Sequence, residues 1–332
     1  MITRNAHLPC ALACSNCRVT AIVDPVMTRA TELIRAYGLD ARAVARAEDI
    51  VGDVDGVIIA TPNDTHRDLA VMFLERGIST LIEKPLAGSV AEGEDILAAA
   101  RGSGAIVAMG YSTRFRDHII LLKDLLDGGY FGKIRRFVHQ FGTTGGWAPL
   151  SAYTLSRRAA GGGVLVITGT HFLDRMMYFW GYPSGAALID DSRGGPEANC
   201  AAEFRFEGNG QAFSGLTRYS KAADLPSGLV IDTEAGIVRV LDSDTADIVL
   251  RHHDRPDVEH VVRRAGPPVF DPDVPVCQHQ IADFVEAARS RTAPLVNGEQ
   301  GLASLRLLEH LYSNRRPMPD DWYGSEKPAP AP

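Results

Sequence analysis

Apolar runs and helical patterns alternate along the first third of the chain. The run RVTAIVD at 18–24 is rich in β-branched residues and ends in an acid, which is typical of a buried parallel strand. The segment at 28–38 then has the apolar spacing of a helix and ends at a glycine. The same pair recurs, with further strands predicted at 55–61, 79–84 and 105–111 and further helices at 66–77 and 89–104. This alternation predicts an α/β Rossmann domain, a doubly wound parallel sheet with helices on both faces.

The pattern changes after the last of these strands. A helix is predicted at 116–129, and the alternation in KIRRFVHQFGT at 133–143 indicates a half-exposed strand. Further strand patterns follow, with EGNG at 207–210 as the turn of a hairpin. Two helices, predicted around 276–290 and 299–315, come last. This part of the chain is therefore expected to be an α+β domain built on a largely antiparallel open sheet.

The length of 332 residues exceeds what one ordinary core contains, which supports two domains. We place a dinucleotide-binding type of domain at 1–112, a substrate and oligomerisation domain at 113–318, and a disordered tail at 319–332. A net charge of −7 argues against a nucleic-acid partner, which requires a basic face. A membrane span requires about 20 apolar residues, and none is predicted. Five cysteines suit a reducing compartment, so we expect a cytoplasmic protein.

Three cysteines near the start raise the question of a metal site. Cys10, Cys14 and Cys17 have the C-x3-C-x2-C spacing of an iron–sulfur cluster. Such a cluster site is expected in front of a barrel of repeated βα units, whereas this chain changes to an antiparallel pattern. On a helix the three thiols fall at i, i+4 and i+7, where cysteine behaves as a small buried apolar residue. We therefore predict no metal.

The opening residues fit a dinucleotide-binding domain without its beginning. Residues 6–15 are interpreted as the first helix and RVTAIVD as the second strand, which places Asp24 where an acid binds the adenosine ribose and favours NAD over NADP. The first strand and its G-x-G-x-x-G turn are absent before His7. Because that strand is central, its neighbours would be left unpaired at about 1–3 kcal/mol per buried backbone group. We expect the natural protein to begin upstream; an in-frame stop directly before Met1 would contradict this.

Two polar motifs follow neighbouring parallel strands and are expected at one edge of the sheet, where such folds bind ligands. In IEKP, Pro85 stiffens the chain so that Lys84 projects into the cleft, and a desolvated amine beside a cationic nicotinamide has its pKa lowered. In ATPNDTH, Thr61, Asn63 and His66 offer hydrogen bonds to a nucleotide, although Asn63 and its neighbours also suit the cap of the next helix.

Together these motifs resemble those of the Gfo/Idh/MocA family, the glucose–fructose oxidoreductase and inositol dehydrogenase group. The resemblance covers nearly the whole chain and is carried by RNAHLPCAL, AIVDP, IATPNDTH, IEKPLA, GYSTRF, AGGGVLVITGTHFLD and PLVNGEQGLASLRLLEHLYSN, in that order. It implies a Rossmann domain, a C-terminal sheet domain that forms a homo-oligomer, either dimer or tetramer, and nicotinamide-dependent redox chemistry on a carbohydrate-like small molecule.

The resemblance also implies roles for single residues. Lys84 is expected to be the acid/base, and His171 to bind the substrate hydroxyl and share its proton. The cofactor-binding residues would be Asp24, Thr61, Pro62, Asn63, His66, Glu83, Lys84 and Arg114. Weaker candidates for substrate contact are Trp147, Tyr153, Arg157, Thr168 and Asp174. One position departs from the family: many members carry aspartate where this chain has Ile167, which cannot accept a proton.

Three functions remain open at this point. The first is an NAD(P)-dependent oxidoreductase acting on a sugar, nucleotide sugar or polyol. The second is an NAD-dependent glycosidase of the same fold, in which a retained cofactor oxidises the sugar transiently. The third is a redox-inactive protein, which the missing phosphate loop and Ile167 together allow.

Overall fold

A computed structural model describes residues 2–145, 156, 160–193, 195–208 and 210–319. The first part alternates strands and helices as predicted. The strands are β1 Ala21–Val23, β2 Arg42–Val44, β3 Gly56–Ile59, β4 Ser79–Ile82 and β5 Val107–Met109. The helices are α1 Leu8–Ala13, α2 Met27–Tyr37, α3 His66–Leu74, α4 Val90–Ser103 and α5 Asp117–Asp127. The predicted strands and helices are therefore confirmed, and β2 is an addition that the sequence pattern did not reveal.

The parallel strands of this domain form two separate sheets. β1 pairs with β2, and β3, β4 and β5 pair in that order. In a doubly wound domain whose central first strand is missing, β1 and β3 would be the strands on either side of it. Across the part of the chain that the structure describes, no strand pairs with β1 or β3 on their facing sides. β1 is half-buried along its length, and β3 is half-buried except at Ile59, which is buried.

The opening cysteines pack as apolar side chains. Cys10 and Cys14 are buried in a cluster that also contains Leu81, Ile281 and Phe284. Burial raises the pKa of each thiol, which opposes thiolate formation and metal binding. Among the described residues, no group of three or more His, Cys, Asp or Glu side chains is arranged to bind a metal. Helix α1 ends at Ala13, so Cys14 and Cys17 follow the helix instead of extending its face.

The second part is built on a large mixed sheet, mostly antiparallel. Its strands are β6 Ile134–Gly142, β7 Gly185–Asp190, β8 Asn199–Gly208, β9 Gln211–Ser220, β10 Leu225–Thr233, β11 Gly236–Val240, β12 Ile248–His252, β13 Glu259–Val262 and β14 Arg316–Pro317. Their order in the sheet is β13-β12-β11-β10-β6-β9-β8-β7-β14. Only the β6–β9 and β7–β14 pairs are parallel among these described strands. The hairpin predicted at EGNG joins β8 to β9.

Three helices complete the described chain: α6 Thr170–Trp180, α7 Val276–Ser290 and α8 Gly298–Ser313. Helix α6 covers one face of the large sheet, and Trp180 stacks on Phe137 of β6 with ring centroids 4.4 Å apart. Helix α7 instead packs against α1 and β4 of the first domain through Ile281 and Phe284. The chain therefore returns to its first domain at its end, and α7 and α8 connect the two. None of the described helices combines the length and hydropathy that crossing a bilayer requires.

A buried carboxylate anchors the glycine run that leads into α6. Glu197 is 1% exposed and accepts hydrogen bonds from the amides of Gly163 at 2.9 Å and Leu165 at 3.0 Å. Tyr312 of α8 donates to the same carboxylate at 2.8 Å. A Cβ atom at Gly163 would lie 2.0 Å from the Glu197 carbonyl oxygen, so only glycine fits there. This contact sets the position of the helical turn Leu165–Gly169 and of α6 behind it.

Candidate active site

The lysine of the EKP motif bridges the two domains. Lys84 follows β4, and its Nζ donates a hydrogen bond of 2.7 Å to the carbonyl oxygen of Ile167 in the C-terminal domain. Burial lowers the pKa of the Lys84 amine, and the positive charge of Lys221 lowers it further. The carboxylate of Glu83 acts in the opposite direction and raises this pKa. Lys84 therefore lies between the two domains with a lowered pKa, a property that an amine needs if it is to act as an acid/base group near neutral pH.

Glu83 has a partner that sequence reasoning missed. His7 Nε2 lies 2.7 Å from Glu83 Oε1, and only 4% of the His7 side chain and 14% of the Glu83 side chain are exposed. Burial alone would raise the pKa of Glu83, but the hydrogen bond and charge of His7 outweigh it and lower that pKa. The one available signal was a histidine within the mostly apolar opening helix. The pair fixes the residue immediately before Lys84.

Glycine at position 110 lets two strand ends approach each other. A Cβ at Gly110 would lie 2.9 Å from both the Cα and the Oε2 of Glu83. The amide of Gly110 also donates to the Ile82 carbonyl oxygen at 2.7 Å. The GYSTRF motif therefore begins with glycine because the Glu83 side chain occupies the adjacent space.

The turn after β3 connects both domains to the EKP motif. Asn63 is buried and its Nδ2 donates to the Ala160 carbonyl oxygen at 2.9 Å. His66 is fully buried, and its ring nitrogens lie 3.0 Å from the carbonyl oxygens of Pro85 and Thr61. Burial lowers the pKa of His66. Thr61 and Pro62 are exposed beside them, so of these residues those two are accessible to a nucleotide.

Asp24 lies at the carboxyl end of β1, as predicted. Its Oδ1 accepts a hydrogen bond of 2.8 Å from the amide of Val26, and Arg29 is 3.9 Å away. Its Oδ2 makes no hydrogen bond or ion pair with any other described residue. The carboxylate is 29% exposed and is positioned as in folds that bind the adenosine ribose.

The described residues fit a nicotinamide dinucleotide at its two ends. Asp24 suits the adenosine ribose, and Thr61, Pro62 and Lys84 lie where the nicotinamide end would lie. For the diphosphate, the described chain offers the helical turn Thr3–His7, which contains no glycine. Glycine is what allows a backbone to approach a diphosphate closely, so the middle of the site is less well matched than its ends.

His171 begins α6 beside the segment that binds Lys84. Its ring meets Tyr111 edge-on with centroids 6.0 Å apart, and its buried Nδ1 has no hydrogen-bond partner among the described residues. Burial, together with the charges of Lys84, Arg175 and Arg116, lowers the pKa of His171 well below its ordinary value. The ring is therefore neutral at physiological pH. Thr168 is half-buried one turn before it.

Two predicted ligand-binding residues are instead paired with each other. Arg114 is 1% and Asp174 2% exposed, and Arg114 Nη1 lies 3.5 Å from Asp174 Oδ1. The Arg114 guanidinium also stacks over the Tyr178 ring at 3.6 Å. Burial raises the pKa of Asp174 to about 6, although Arg114 and Arg175 oppose the rise. These contacts join the two domains and leave little of either side chain for a ligand. Trp147, Tyr153 and Arg157 lie outside the described residues.

A second charged cluster lies behind α6 and was not predicted. Asp242 accepts from Arg175 at 2.7 Å, from Arg116 at 3.2 Å, and pairs with His139 Nε2 at 2.8 Å. Burial alone would raise the pKa of Asp242, but Arg175 and His139 lower it well below its usual range. Since Asp242 lies in a turn between strands, local sequence gave no signal that it contacts two distant arginines and a distant histidine. The cluster supports the base of α6, where His171 begins.

The chain is similar in sequence and fold to several known oxidoreductases. Residues 1–111 match the sequence model of an oxidoreductase family with an NAD-binding Rossmann fold. A putative UDP-kanosamine synthase oxidoreductase subunit of Amycolatopsis mediterranei is 31% identical over 178 residues, which are 54% of this chain and 49% of that protein. The rhizopine catabolism protein MocA of Rhizobium meliloti is 29% identical over 180 residues, 53% of each. The chain spans about half the length of the curated relatives that it matches.

Solved structures share the whole two-domain fold. An aldose-aldose oxidoreductase from Caulobacter crescentus, complexed with glycerol, superposes with a TM-score of 0.80 at 22% identity over 94% of both chains. A 3-ketoreductase from Actinomadura kijaniata, in complex with NADP and TDP-benzene, also gives 0.80 at 20% identity, over 96% of this chain and 95% of that one. These likenesses confirm the predicted α/β and α+β architecture.

We expect His7→Leu to destabilise the protein by about 3 kcal/mol, because it leaves the buried Glu83 carboxylate without its partner. The folded-state pKa of Glu83 is lowered, so this stabilisation is present above the ordinary carboxyl pKa and is lost as pH falls through the lowered value. The difference from wild type should therefore shrink on acidification. Urea denaturation at several pH values measures it. His260→Leu, at an exposed histidine on β13, is the control, and equal loss in both variants would contradict the assignment.

Proposed function

We propose that this chain is an NAD(P)-dependent oxidoreductase, since residues 1–111 match the model of the Gfo/Idh/MocA oxidoreductase family. It transfers a hydride between a nicotinamide cofactor and a hydroxyl or keto carbon of a sugar, nucleotide sugar or polyol. The proposal rests mainly on the position and the lowered pKa of the Lys84 amine. It lies at the carboxyl end of β4, is bonded to the opposite domain at 2.7 Å, and has its pKa lowered by burial.

The cofactor we propose is NAD, with NADP less favoured. Asp24 would hold the adenosine ribose and would repel a 2′-phosphate, while Thr61 and Pro62 would contact the nicotinamide end. When bound, the dinucleotide supplies or accepts the hydride. Proteins of similar fold bind different nucleotides: a levoglucosan dehydrogenase structure contains NADH, and the 3-ketoreductase structure contains NADP. The carboxylate of Asp24 is what favours NAD in this chain.

Lys84 would move the proton that accompanies the hydride. Oxidation of an alcohol requires removal of its hydroxyl proton, and the neutral amine of Lys84 accepts it; reduction runs in the opposite direction. The Ile167 carbonyl oxygen receives an N–H of Lys84 and so orients the amine without itself taking a proton. In this chain the lysine is therefore the proton acceptor, with no carboxylate at position 167 to assist it.

His171 would orient the substrate and would not share the proton. Its pKa is well below the ordinary histidine value, so the ring stays neutral through the physiological range. A neutral imidazole both donates and accepts a hydrogen bond, which suits a substrate hydroxyl. Glu83 and His7 would act indirectly, because their contact holds the turn from which Lys84 extends.

We also propose that the protein forms a homo-oligomer through the outer face of the large sheet. Cross-strand neighbours on that face are Leu216, Val138, Val230, Arg239, Val249 and Val261, so a single arginine interrupts this row of apolar side chains. Val230 is 36% and Val261 49% exposed. A row of apolar side chains on an open sheet face is typical of an interface between protein chains.

Lys84→Ala should lower turnover by about 10²–10⁴-fold, because the variant lacks the acid/base group. The affinity for NAD should be largely kept, because the variant loses no charge contact with the cofactor. In wild type, alcohol oxidation should rise with pH through a midpoint below the ordinary lysine value of about 10.4, since the neutral amine is the base. Steady-state NADH formation with a panel of sugars, sugar acids and inositols measures both. Lys133→Ala, at an exposed lysine, is the control.

Unchanged turnover in Lys84→Ala would reject this role. If a stoichiometric nicotinamide copurifies and turnover releases no NADH while a glycoside is cleaved, the protein is a glycosidase of this fold. If NAD and NADH both fail to bind, the redox-inactive alternative replaces the proposal.

Asp24→Ala should narrow the preference for NAD over NADP by about tenfold, since contact between like charges costs on the order of 1 kcal/mol or more. The two dissociation constants, measured by fluorescence titration with NADH and NADPH, give the ratio. Asp40→Ala removes an exposed acid of the same charge nearby and should leave the ratio unchanged. Equal ratios in wild type and Asp24→Ala would reject the ribose-binding role.

Val230→Arg should convert the oligomer to a monomer, because it places a second positive charge beside Arg239 in the centre of the proposed interface. Sedimentation velocity at micromolar concentration measures the change. Val269→Arg, at a residue 54% exposed and outside the strands, is the matched control and should assemble as wild type does. A monomeric wild type would contradict the interface.

A further inference from the structure

Lys221 is a partly buried lysine with no acidic partner among the residues that the structure describes. It directly follows β9, and its amide donates to the Ala198 carbonyl oxygen at 2.9 Å. Its ammonium lies 5.5 Å from the centroid of the Phe141 ring. Within the described part of the chain, no carboxylate lies within ion-pair distance of it. Burial lowers the pKa of the Lys221 amine. A half-buried ammonium usually has a counter-charge, so its absence here needs an explanation.

The fold places Lys221 beside the proposed active site. Tyr219, two residues earlier on the same strand, packs so closely on Gly169 that a Cβ there would lie 2.7 Å from the ring. Gly169 lies between Ile167 and His171. The Lys221 amide is bonded to Ala198, the residue after Glu197, and the Glu197 carboxylate binds the start of the same segment at Gly163 and Leu165. Its charge is also felt at Lys84.

The charge balance around this segment is positive, although the whole chain carries −7. Glu83 is the acid next to Lys84, and its carboxylate is bound to His7. Asp242 is the acid behind α6, and it already pairs with Arg116, Arg175 and His139. Position 167, where the family resemblance leads one to expect aspartate, is isoleucine. Lys84 and Lys221 therefore share a site that lacks one negative charge.

We propose that the substrate supplies this charge: it is a sugar derivative with a carboxylate or phosphate near the reacting carbon, and Lys221 binds that anionic group. This inference rests on the proposed function and narrows its substrate class. The ammonium of Lys221 is a compact charge with three donors, suited to either kind of anion. A neutral sugar would leave the ammonium of Lys221 without a counter-charge, so the site discriminates against it.

Calorimetric titration of the protein in the presence of NADH tests the proposal. The ligands are gluconate and glucuronate as carboxylates, glucose 6-phosphate as phosphate, and glucose and myo-inositol as neutral compounds. At least one anion should bind at least tenfold more tightly than the neutral compounds, and the excess should fall with added salt. The carboxylate and phosphate arms identify which group the site accepts.

Variants at Lys221 locate the contact. Lys221→Gln should weaken binding of that anion by about 10–100-fold, the scale of one hydrogen bond to a charged group, and Lys221→Arg should restore much of it. Affinity for NADH and for neutral sugars should not change. Lys133→Gln makes the same charge change at an exposed lysine and should leave all affinities as in wild type.

The outcomes separate the two proposals. If neutral sugars bind as tightly as every anion, or if Lys221→Gln weakens NADH instead, the inference about Lys221 is wrong and the oxidoreductase proposal stands. If no anion binds, the inference is also wrong. If an anion binds through Lys221 but no nicotinamide turnover accompanies it, the inference stands and the oxidoreductase proposal fails.

Discussion

The hydrogen bond from Lys84 Nζ to the Ile167 carbonyl oxygen is the contact on which the site depends, because it joins the edge of the parallel sheet to the C-terminal domain. On one side, Lys84 is held by the turn whose Glu83 is bound to His7. On the other, Ile167 lies in a helical turn that follows the glycine run anchored by Glu197. Weakening either anchor would misplace the amine, even though neither anchor touches a ligand.

Buried charge determines what this contact can do. Desolvation lowers the pKa of both Lys84 and His171, so the pair is poised as a base and a neutral hydrogen-bonding group. The cations near them outnumber the free carboxylates, since Glu83, Asp174 and Asp242 are each already paired. In the proposed function, desolvation sets the protonation of Lys84, and the charge of Lys221 sets the choice of substrate.

Local pattern predicted most of the fold because the elements are long or have clear end signals. Ser89 caps α4 by accepting from the Glu92 amide at 3.3 Å, and the EGNG turn joins β8 to β9 as expected. The strand Arg42–Val44 was missed because three residues with an exposed arginine leave no period to detect. In the site, the sequence predicted the polar residues that follow strands. It did not predict the His7–Glu83 and Asp242–His139 pairs, whose members are 76 and 103 positions apart in the chain. Only tertiary packing creates such pairs, and it also turned Arg114 and Asp174 inward.

The central claim is that a nicotinamide ring lies against the Lys84 amine at the upper edge of the sheet. A crystal structure of the protein grown with NADH tests this most directly. We predict electron density for the dinucleotide from Asp24 to Lys84, with the ring in contact with Lys84 Nζ. Density that places the dinucleotide elsewhere, or a Lys84 side chain that points away from it, would contradict the account.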